Sequence, residues 1–193
     1  SREYQIERLE KFLLFASYAF DASIEQLFLS LINGCTLIVA SNKDIEEPDK
    51  FINLIRLNKV THLHVTASYL ETLDKFKLSY LKRLVLGGES LLLSLYEKYD
   101  RYVEHIINEY GPVETTITTS IKFKSAYIGK PISNVQIYIL DNNLNPLPIG
   151  AIGELYVGGC GVARSYLNQP ELTTKVFLTN PFQSEINKQQ NKN

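Results

Sequence analysis

The sequence predicts an α/β fold in which a parallel sheet is covered by helices on both faces and is followed by a small antiparallel, β-barrel-like region. Short apolar runs alternate with amphipathic segments as far as residue 107, which is the pattern of strands connected by helices. Polar or glycine-rich stretches follow three of these runs. Beyond residue 128 apolar and polar residues alternate singly, which is typical of half-buried antiparallel strands.

The first elements follow from the spacing of their apolar residues. An apolar run over 12–18 predicts a buried strand. Gly34 is placed to end the helix that follows, whose predicted buried face has i, i+3, i+4, i+7, i+8 spacing and comprises Ile24, Leu27, Phe28, Leu31 and Ile32. The elements predicted next are strands over 36–40, 60–65, 81–86 and 103–107, and helices from Pro48, over 68–73 and over 90–99.

The chain is predicted to contain three regions: a partial α/β subdomain over 1–125, a β-barrel-like subdomain over 126–182, and a polar loop or linker at a truncated end over 183–193. In the second region an alternating strand around Ile137 is followed by a turn-rich stretch and a returning strand over 154–157. Ligands bind beyond the carboxyl ends of parallel strands. We therefore expect the stretches that contain His64, Gly87 and Glu109 to converge on one edge of the sheet.

Composition excludes two classes of partner. The net charge is -1, with 20 basic and 21 acidic residues interspersed, so the chain offers no basic stripe for nucleic acid. No apolar run approaches the ~20 residues that a membrane span needs, and the charged start is unlike a signal peptide. We expect a cytoplasmic protein that contacts neither nucleic acid nor membrane.

Four motifs occur in order: FDAS at 20–23, LGGES at 86–90, NEYGPVETTIT at 108–118, and GELYVGG at 153–159 with VARSYL at 162–167. In this order and at about this spacing they resemble the motifs of adenylate-forming enzymes, in particular the amino-acid adenylation domains of nonribosomal peptide synthetases. The resemblance implies ATP-dependent activation of an amino acid as aminoacyl-AMP, with Mg²⁺, and transfer to a phosphopantetheine thiol. It also implies a peptidyl carrier domain and a condensation domain of the same assembly line as partners.

The resemblance assigns Asp21 to the α-ammonium group of the substrate, which favours an α-amino acid over a fatty or aryl acid. From the sequence alone Asp21 is a helix N-cap, or Ser23 is, with Gln26 completing a capping box. By resemblance, the residues that line the pocket for the substrate side chain are Glu25, His64, Val85, Gly87, Glu109, Ile117 and Thr118.

Two glutamates in that pocket predict the charge of the substrate. Carboxylates in a partly dry pocket repel each other unless a cation lies between them, so Glu25 and Glu109 favour a basic amino acid such as lysine, ornithine or arginine. His64 could instead neutralise one glutamate and leave room for a polar neutral substrate.

The nucleotide site is also implied by resemblance. Tyr110 would stack on adenine, Asn108 would bind its amino group, and Glu114 would hold Mg²⁺. Val113 stands where the family usually has a threonine that contacts the α-phosphate, which leaves weaker binding or a contact from Thr115 or Thr116. The full predicted nucleotide-binding set is Gly87, Gly88, Asn108, Glu109, Tyr110, Gly111 and Val113.

The family's phosphate loop, ribose-binding aspartate and catalytic lysine match no part of this sequence. We therefore assign no catalytic residue and expect the chain alone to be inactive. Two alternatives stay open. One is a ligase for another carboxylic acid, similar to an acyl-CoA synthetase, against which Asp21 argues. The other is a non-catalytic remnant that folds without turning over substrate.

Overall fold

The computed structural model of the chain describes residues 3–74 and 78–182, and its contacts divide the chain into two compact units. The first unit consists of Ser1–Gly111 and Ser120–Lys130, and the second of Pro112–Thr119 and Pro131–Asn193. The linker predicted over 183–193 lies outside the described residues. The domain boundary predicted between residues 125 and 126 stays a prediction.

The first unit is built on a mixed sheet whose strand order is β2-β1-β3-β4-β5-β6-β7. The strands are β1 (Lys11–Leu14), β2 (Thr36–Val39), β3 (His62–Val65), β4 (Arg83–Leu86), β5 (His105–Tyr110), β6 (Ser120–Phe123) and β7 (Lys130–Pro131). Strands β1 to β5 pair in parallel, so the prediction of a parallel sheet is confirmed for them.

The antiparallel strand β6 was not predicted, and it changes β5. The strand predicted to end at residue 107 continues to Tyr110, because residues from Ile107 to Tyr110 pair with β6. Glu109 therefore lies within a strand whose backbone is hydrogen-bonded on both sides. That placement gives its side chain a defined direction.

Helices connect the strands of the first unit: α1 (Ala22–Ile32), α2 (Asn42–Glu46), α3 (Pro48–Asn58), α4 (Ala67–Glu71) and α5 (Leu93–Tyr99). Pro48 opens α3, as predicted. The short helix α2 was not predicted, although Ser41 and Asp44 form a capping box at its start. Within the described residues, no helix is both long enough and apolar enough to cross a membrane.

Two separate hydrophobic clusters confirm that helices cover both faces of the sheet. Leu84 and Leu86 of β4 belong to the larger cluster, which includes residues of α3, α4 and α5. Val85, between them, belongs to a second cluster with Leu29 of α1. Successive side chains of a strand point to opposite faces, so α1 lies on one face and α3 to α5 on the other.

The predicted buried face of α1 is wrong. Ile24, Phe28, Leu31 and Ile32 are 48%, 54%, 57% and 67% exposed. The residues of α1 that are buried instead are Ser23, Gln26, Leu29 and Ser30.

Hydrogen bonds of Gln26 explain this orientation of α1. Its side-chain oxygen accepts from the backbone N–H groups of Phe15 and Ala16, and its side-chain nitrogen donates to the backbone oxygen of His64. These bonds attach the polar face of the helix to the sheet. They also explain why β1, predicted to reach residue 18, ends at Leu14, since the next two N–H groups bond to a side chain instead of a strand.

The second unit contains a short 3₁₀ turn (Val113–Thr115), strands β8 (Val135–Leu140) and β9 (Glu154–Gly159), and helix α6 (Pro170–Val176). Strands β8 and β9 pair in antiparallel register from Val135 opposite Gly159 to Leu140 opposite Glu154. The predicted small antiparallel region is therefore confirmed, and in the part of the chain described it consists of this strand pair. Helix α6 was not predicted.

A buried ion pair fixes the N-terminal segment against the sheet. The guanidinium of Arg83, on β4, pairs with the carboxylate of Glu10, and both side chains are buried. The same guanidinium donates to the backbone oxygens of Tyr4 and Gln5. Next to it, Lys82 pairs with Glu7 at 2.6 Å, but these two side chains are 39% and 68% exposed.

The substitution Arg83→Met should lower the free energy of unfolding by about 3–5 kcal/mol, because it leaves the Glu10 carboxylate buried without its partner. The neighbouring substitution Lys82→Met is the matched control and should cost less than about 1 kcal/mol, since its ion pair is solvated. Urea unfolding of the two variants beside the wild type measures both effects. Equal losses for the two variants would contradict this account of the buried pair.

Candidate functional site

The ends of three neighbouring strands lie side by side, as predicted. Parallel pairing places Val65 of β3 opposite Leu86 of β4, and Leu86 opposite Asn108 of β5. The residues at these ends therefore share the carboxyl edge of the sheet, where ligands bind in parallel α/β folds.

The face covered by α1 carries the polar residues of this edge. Val85 and Ile107 pack with Leu29 of α1. Two residues later come Gly87, directly after the end of β4, and Glu109, still within β5. Gly87 leaves room for an imidazole, because a Cβ atom there would lie 3.0 Å from Nε2 of His64. A glycine at this position is thus part of the shape of the site.

Three of the predicted pocket residues, Glu25, His64 and Glu109, form what we name the Glu–His–Glu cluster. A ring nitrogen of His64 and one carboxylate oxygen from each glutamate all lie within 4.8 Å of one another. The side chains of His64 and Glu25 are 7% and 8% exposed, and Nδ1 of His64 is 3.7 Å from Oε2 of Glu25, too far for a hydrogen bond. Nδ1 of His64 and both carboxylate oxygens of Glu25 are buried and have no hydrogen-bond partner among the described residues.

Protonation decides how the two carboxyl groups of the cluster interact. Two ionised carboxylates only accept hydrogen bonds, so a bond between Glu25 and Glu109 needs a proton on one of them. Burial raises the pKa of Glu25 well above its usual value, and the negative charges of Glu109 and Asp21 raise it further, while the Tyr4 hydroxyl lowers it. The cluster therefore holds a proton or another cation more favourably than two adjacent negative charges alone.

Asp21 occupies the N-cap position of α1, as one of the two capping predictions had it, and lies one helical turn before Glu25. Its carboxylate makes no capping hydrogen bond. The alternative capping box does not form either, because the Ser23 hydroxyl donates to the backbone oxygen of Phe20 and Gln26 bonds to other backbone groups. Helix capping thus accounts for neither Asp21 nor Ser23, and Asp21 presents a half-buried carboxylate beside the Glu–His–Glu cluster.

The predicted adenine-binding residues lie at the end of β5. The side-chain nitrogen of Asn108 donates to the backbone oxygens of Ala126 and Tyr127 at 2.8 and 3.1 Å. Its side-chain oxygen is therefore the group that an adenine amino group would contact. Tyr110 is half-buried at the last position of the strand, and Gly111 ends the first of the two segments that form the first unit.

Gly88 has a conformational reason to be glycine. Its φ of +78° lies in the left-handed region, which side chains disfavour. The turn after β4 therefore requires this residue whether or not a ligand approaches it.

In the second unit the predicted metal ligand Glu114 is held by its own neighbours. Its carboxylate accepts a hydrogen bond from the Tyr166 hydroxyl, and this contact raises the pKa of Tyr166. The backbone oxygen of Glu114 accepts from the N–H of Ala163 at 2.7 Å. One carboxylate oxygen is thus engaged, and the other is available to a cation.

The threonines considered as replacements for a hydroxyl at Val113 already use their protons. The Thr115 hydroxyl is buried and bonds to the backbone oxygen of Pro112 and the hydroxyl of Thr119. The Thr116 hydroxyl donates to the backbone oxygen of Gly161 at 2.6 Å. Neither can donate to a phosphate without breaking these bonds, and Val113 itself is 64% exposed.

The remaining predicted pocket residues are divided between the two units. Val85 lies fully buried on β4 in the first unit. Ile117 and Thr118 belong to the second unit, where Ile117 has a positive φ of 68°.

Sequence reasoning missed three polar residues around the site. Tyr4 donates a hydrogen bond to Oε2 of Glu109 at 2.6 Å, although 105 positions separate the two residues. Gln26 orients α1, and Glu89 accepts from the N–H and hydroxyl of Ser68 at the start of α4. No local motif marks Tyr4, whereas Gln26 was recognised only as a possible capping residue.

Comparisons with known proteins agree with this geometry. Residues 2–167 match the family described as AMP-binding enzyme. The chain is 41% identical to an N-(5-amino-5-carboxypentanoyl)-L-cysteinyl-D-valine synthase of Streptomyces clavuligerus, over 96% of this chain and 24% of that protein. It is 37% identical to a linear gramicidin synthase of Brevibacillus parabrevis, over 94% of this chain and 2% of that protein.

A structural comparison points the same way. A four-domain nonribosomal peptide synthetase bound to AMP and glycine superposes on 93% of this chain with a TM-score of 0.86 and 30% identity. The match covers 14% of that synthetase, so the chain spans a small part of the proteins that it resembles. With most of its residues matched by one family, the chain belongs to the AMP-binding enzymes and resembles, among them, the adenylation domains of nonribosomal peptide synthetases.

Proposed function

We propose that the full-length protein activates an amino acid in the cytoplasm for nonribosomal peptide synthesis. A carboxylate oxygen of the amino acid attacks the α-phosphorus of ATP, and pyrophosphate leaves, which gives aminoacyl-AMP. A phosphopantetheine thiol on a carrier domain then attacks the acyl carbon, and AMP leaves as the thioester forms. A condensation domain of the same assembly line would use that thioester.

One observation carries this proposal: Asp21 presents a carboxylate without a capping partner at the ligand-binding edge of an AMP-binding fold. A carboxylate in this position suits the α-ammonium group of an amino acid better than the tail of a fatty or aryl acid. The matched synthetase that binds AMP and glycine supports the same class of substrate.

The nucleotide roles are proposed for residues at the end of β5 and in the following turn. Tyr110 would stack on adenine, and the side-chain oxygen of Asn108 would accept from its amino group. Glu114, already oriented by Tyr166, would hold Mg²⁺, which neutralises phosphate charge when it is bound. Gly87, Gly88, Glu109, Gly111 and Val113 complete the proposed nucleotide-binding set.

A basic amino acid is the substrate that the Glu–His–Glu cluster favours. Its two carboxylates are buried close together, and an ammonium or guanidinium group would replace the proton that burial otherwise favours on Glu25. Gly87 next to His64 keeps this space open. We propose lysine, ornithine or arginine as the substrate. Val85 in the first unit is proposed as a residue that contacts its side chain, and the same role is proposed separately for Ile117 and Thr118 of the second unit.

Asp21→Ala should lower kcat/KM for every amino acid by about 30-fold or more in ATP–pyrophosphate exchange by the full-length protein. The reason is that removing the partner of a desolvated charge costs about 2–5 kcal/mol. Asp49→Ala, which removes an exposed carboxylate in the first turn of α3, is the matched control and should leave exchange unchanged.

Two outcomes would contradict the assignment of Asp21. Exchange that depends on fatty or aryl acids and on no amino acid would establish the alternative carboxylic acid ligase. A wild type that shows no exchange with any carboxylic acid would establish a non-catalytic remnant.

The charge of the substrate is tested with lysine and norleucine, which differ chiefly in the terminal ammonium group. Glu25→Gln should lower kcat/KM for lysine by about 30-fold or more, because it removes a charge partner of a desolvated ammonium. Exchange with norleucine should change by less than about threefold or increase. A wild type that prefers glutamine to lysine, ornithine and arginine would instead support neutralisation of one glutamate by His64.

A further inference from the structure

Tyr4 brings a hydroxyl group into the Glu–His–Glu cluster from the N-terminal segment of the chain. Its side chain is buried, and its hydroxyl donates to Oε2 of Glu109 at 2.6 Å. A hydroxyl has one proton to donate, so this bond commits it to a carboxylate of the cluster. None of the four sequence motifs contains Tyr4.

Contacts on both sides keep this hydroxyl in place. The backbone oxygen of Tyr4 accepts a hydrogen bond of 2.6 Å from Nε of Arg83, whose guanidinium is itself paired with buried Glu10. The ring of Tyr4 meets the ring of His62 edge to face, with 6.3 Å between centroids. The bond to Arg83 holds the backbone of Tyr4, and the contact with His62 packs its ring.

Tyr4 shifts the pKa of Glu25 in the opposite direction to burial and to the neighbouring carboxylates. Burial and the charges of Glu109 and Asp21 raise the pKa of Glu25, whereas the Tyr4 hydroxyl lowers it. A donated hydrogen bond stabilises the ionised form of a carboxylate. Tyr4 thus helps the pair to stay negative when no cation is bound, and an ionised pair is the form that attracts one.

We propose that Tyr4 is a specificity-determining positioning residue, whose hydroxyl orients the Glu109 carboxylate so that the Glu–His–Glu cluster accepts a cationic amino-acid side chain. This inference rests on the proposed function. Tyr4 acts through Glu109 and does not touch the reacting atoms.

Other charged groups near the cluster also influence how lysine activation depends on pH. They come from each neighbouring element: Asp21 from α1, His62 and His64 from β3, and Arg83 from β4. All of them stay unchanged when Tyr4 is replaced by phenylalanine. A displaced pH profile in that variant therefore reports on the hydroxyl.

Removing the hydroxyl should have an effect that depends on pH. Without its donor the carboxylate pair retains a proton to higher pH, because the pKa of Glu25 loses the influence that lowers it. At pH 7 a cationic side chain must then displace a proton more often, so its binding weakens. As the pH rises through the raised pKa the proton is lost in any case, and the variant approaches the wild type.

The test uses Tyr4→Phe in the full-length protein, with kcat and KM for lysine and for norleucine measured by ATP–pyrophosphate exchange from pH 6 to 9. We expect KM for lysine to rise about tenfold at pH 7, with kcat within about twofold of the wild type. The midpoint of the lysine pH profile should move upward. Norleucine kinetics should stay within about twofold, since norleucine offers no charge to the pair.

Tyr99→Phe is the matched control. The Tyr99 hydroxyl is buried in the larger hydrophobic cluster, where the backbone oxygens of Leu70 and Leu73 both lie 2.8 Å away and share its one proton. Its removal should lower thermal stability by as much as Tyr4→Phe does, or more, and leave the pH profile for lysine in place. The comparison separates loss of a buried hydroxyl from loss of this particular one.

Equal losses for lysine and norleucine in Tyr4→Phe, or a pH profile that does not move, would show that Tyr4 is structural only and would overturn the inference. In that case a wild type that still prefers lysine to norleucine would leave the proposed function intact. A wild type that activates no amino acid would overturn both.

Discussion

The hydrogen bonds of the Gln26 side chain determine how α1 lies on the sheet, and the candidate site depends on that orientation. By bonding to the backbone of Phe15, Ala16 and His64, Gln26 draws the polar side of the helix onto the carboxyl edge of the strands. Glu25, next to Gln26 in sequence, is thereby brought to within reach of His64 and Glu109.

The first unit buries charge in two different ways. At Arg83 and Glu10 opposite charges meet and the guanidinium also satisfies two backbone oxygens, so the pair is complete within the protein. At Glu25 and Glu109 like charges meet, and the compensating charge has to come from a proton or a ligand. Tyr4 bonds to both arrangements, since its backbone accepts from Arg83 and its hydroxyl donates to Glu109.

Short sequence patterns were enough to predict the secondary structure of the first unit, but not the contacts between elements that are distant in sequence. The order of strands and helices as far as β5 follows from apolar periodicity, whereas Glu25, His64 and Glu109 were assigned to one pocket by resemblance to the family. The orientation of α1 could not be predicted, because side-chain hydrogen bonds to other elements outweigh the burial of its apolar face. Tyr4 is beyond such reasoning altogether, since only the folded chain brings it to Glu109.

The outward apolar face of α1 also affects practical work with the molecule. An exposed apolar strip lies on the opposite side of the helix from Gln26 and consists of Ile24, Phe28, Leu31 and Ile32. Exposed apolar surfaces promote self-association in concentrated samples. Because the strip and the polar side of α1 share no side chains, lysine or glutamate can replace the outward residues while the inward ones keep their contacts. In the isolated 193-residue chain, the colloidal behaviour of this helix can therefore be adjusted separately from its chemistry.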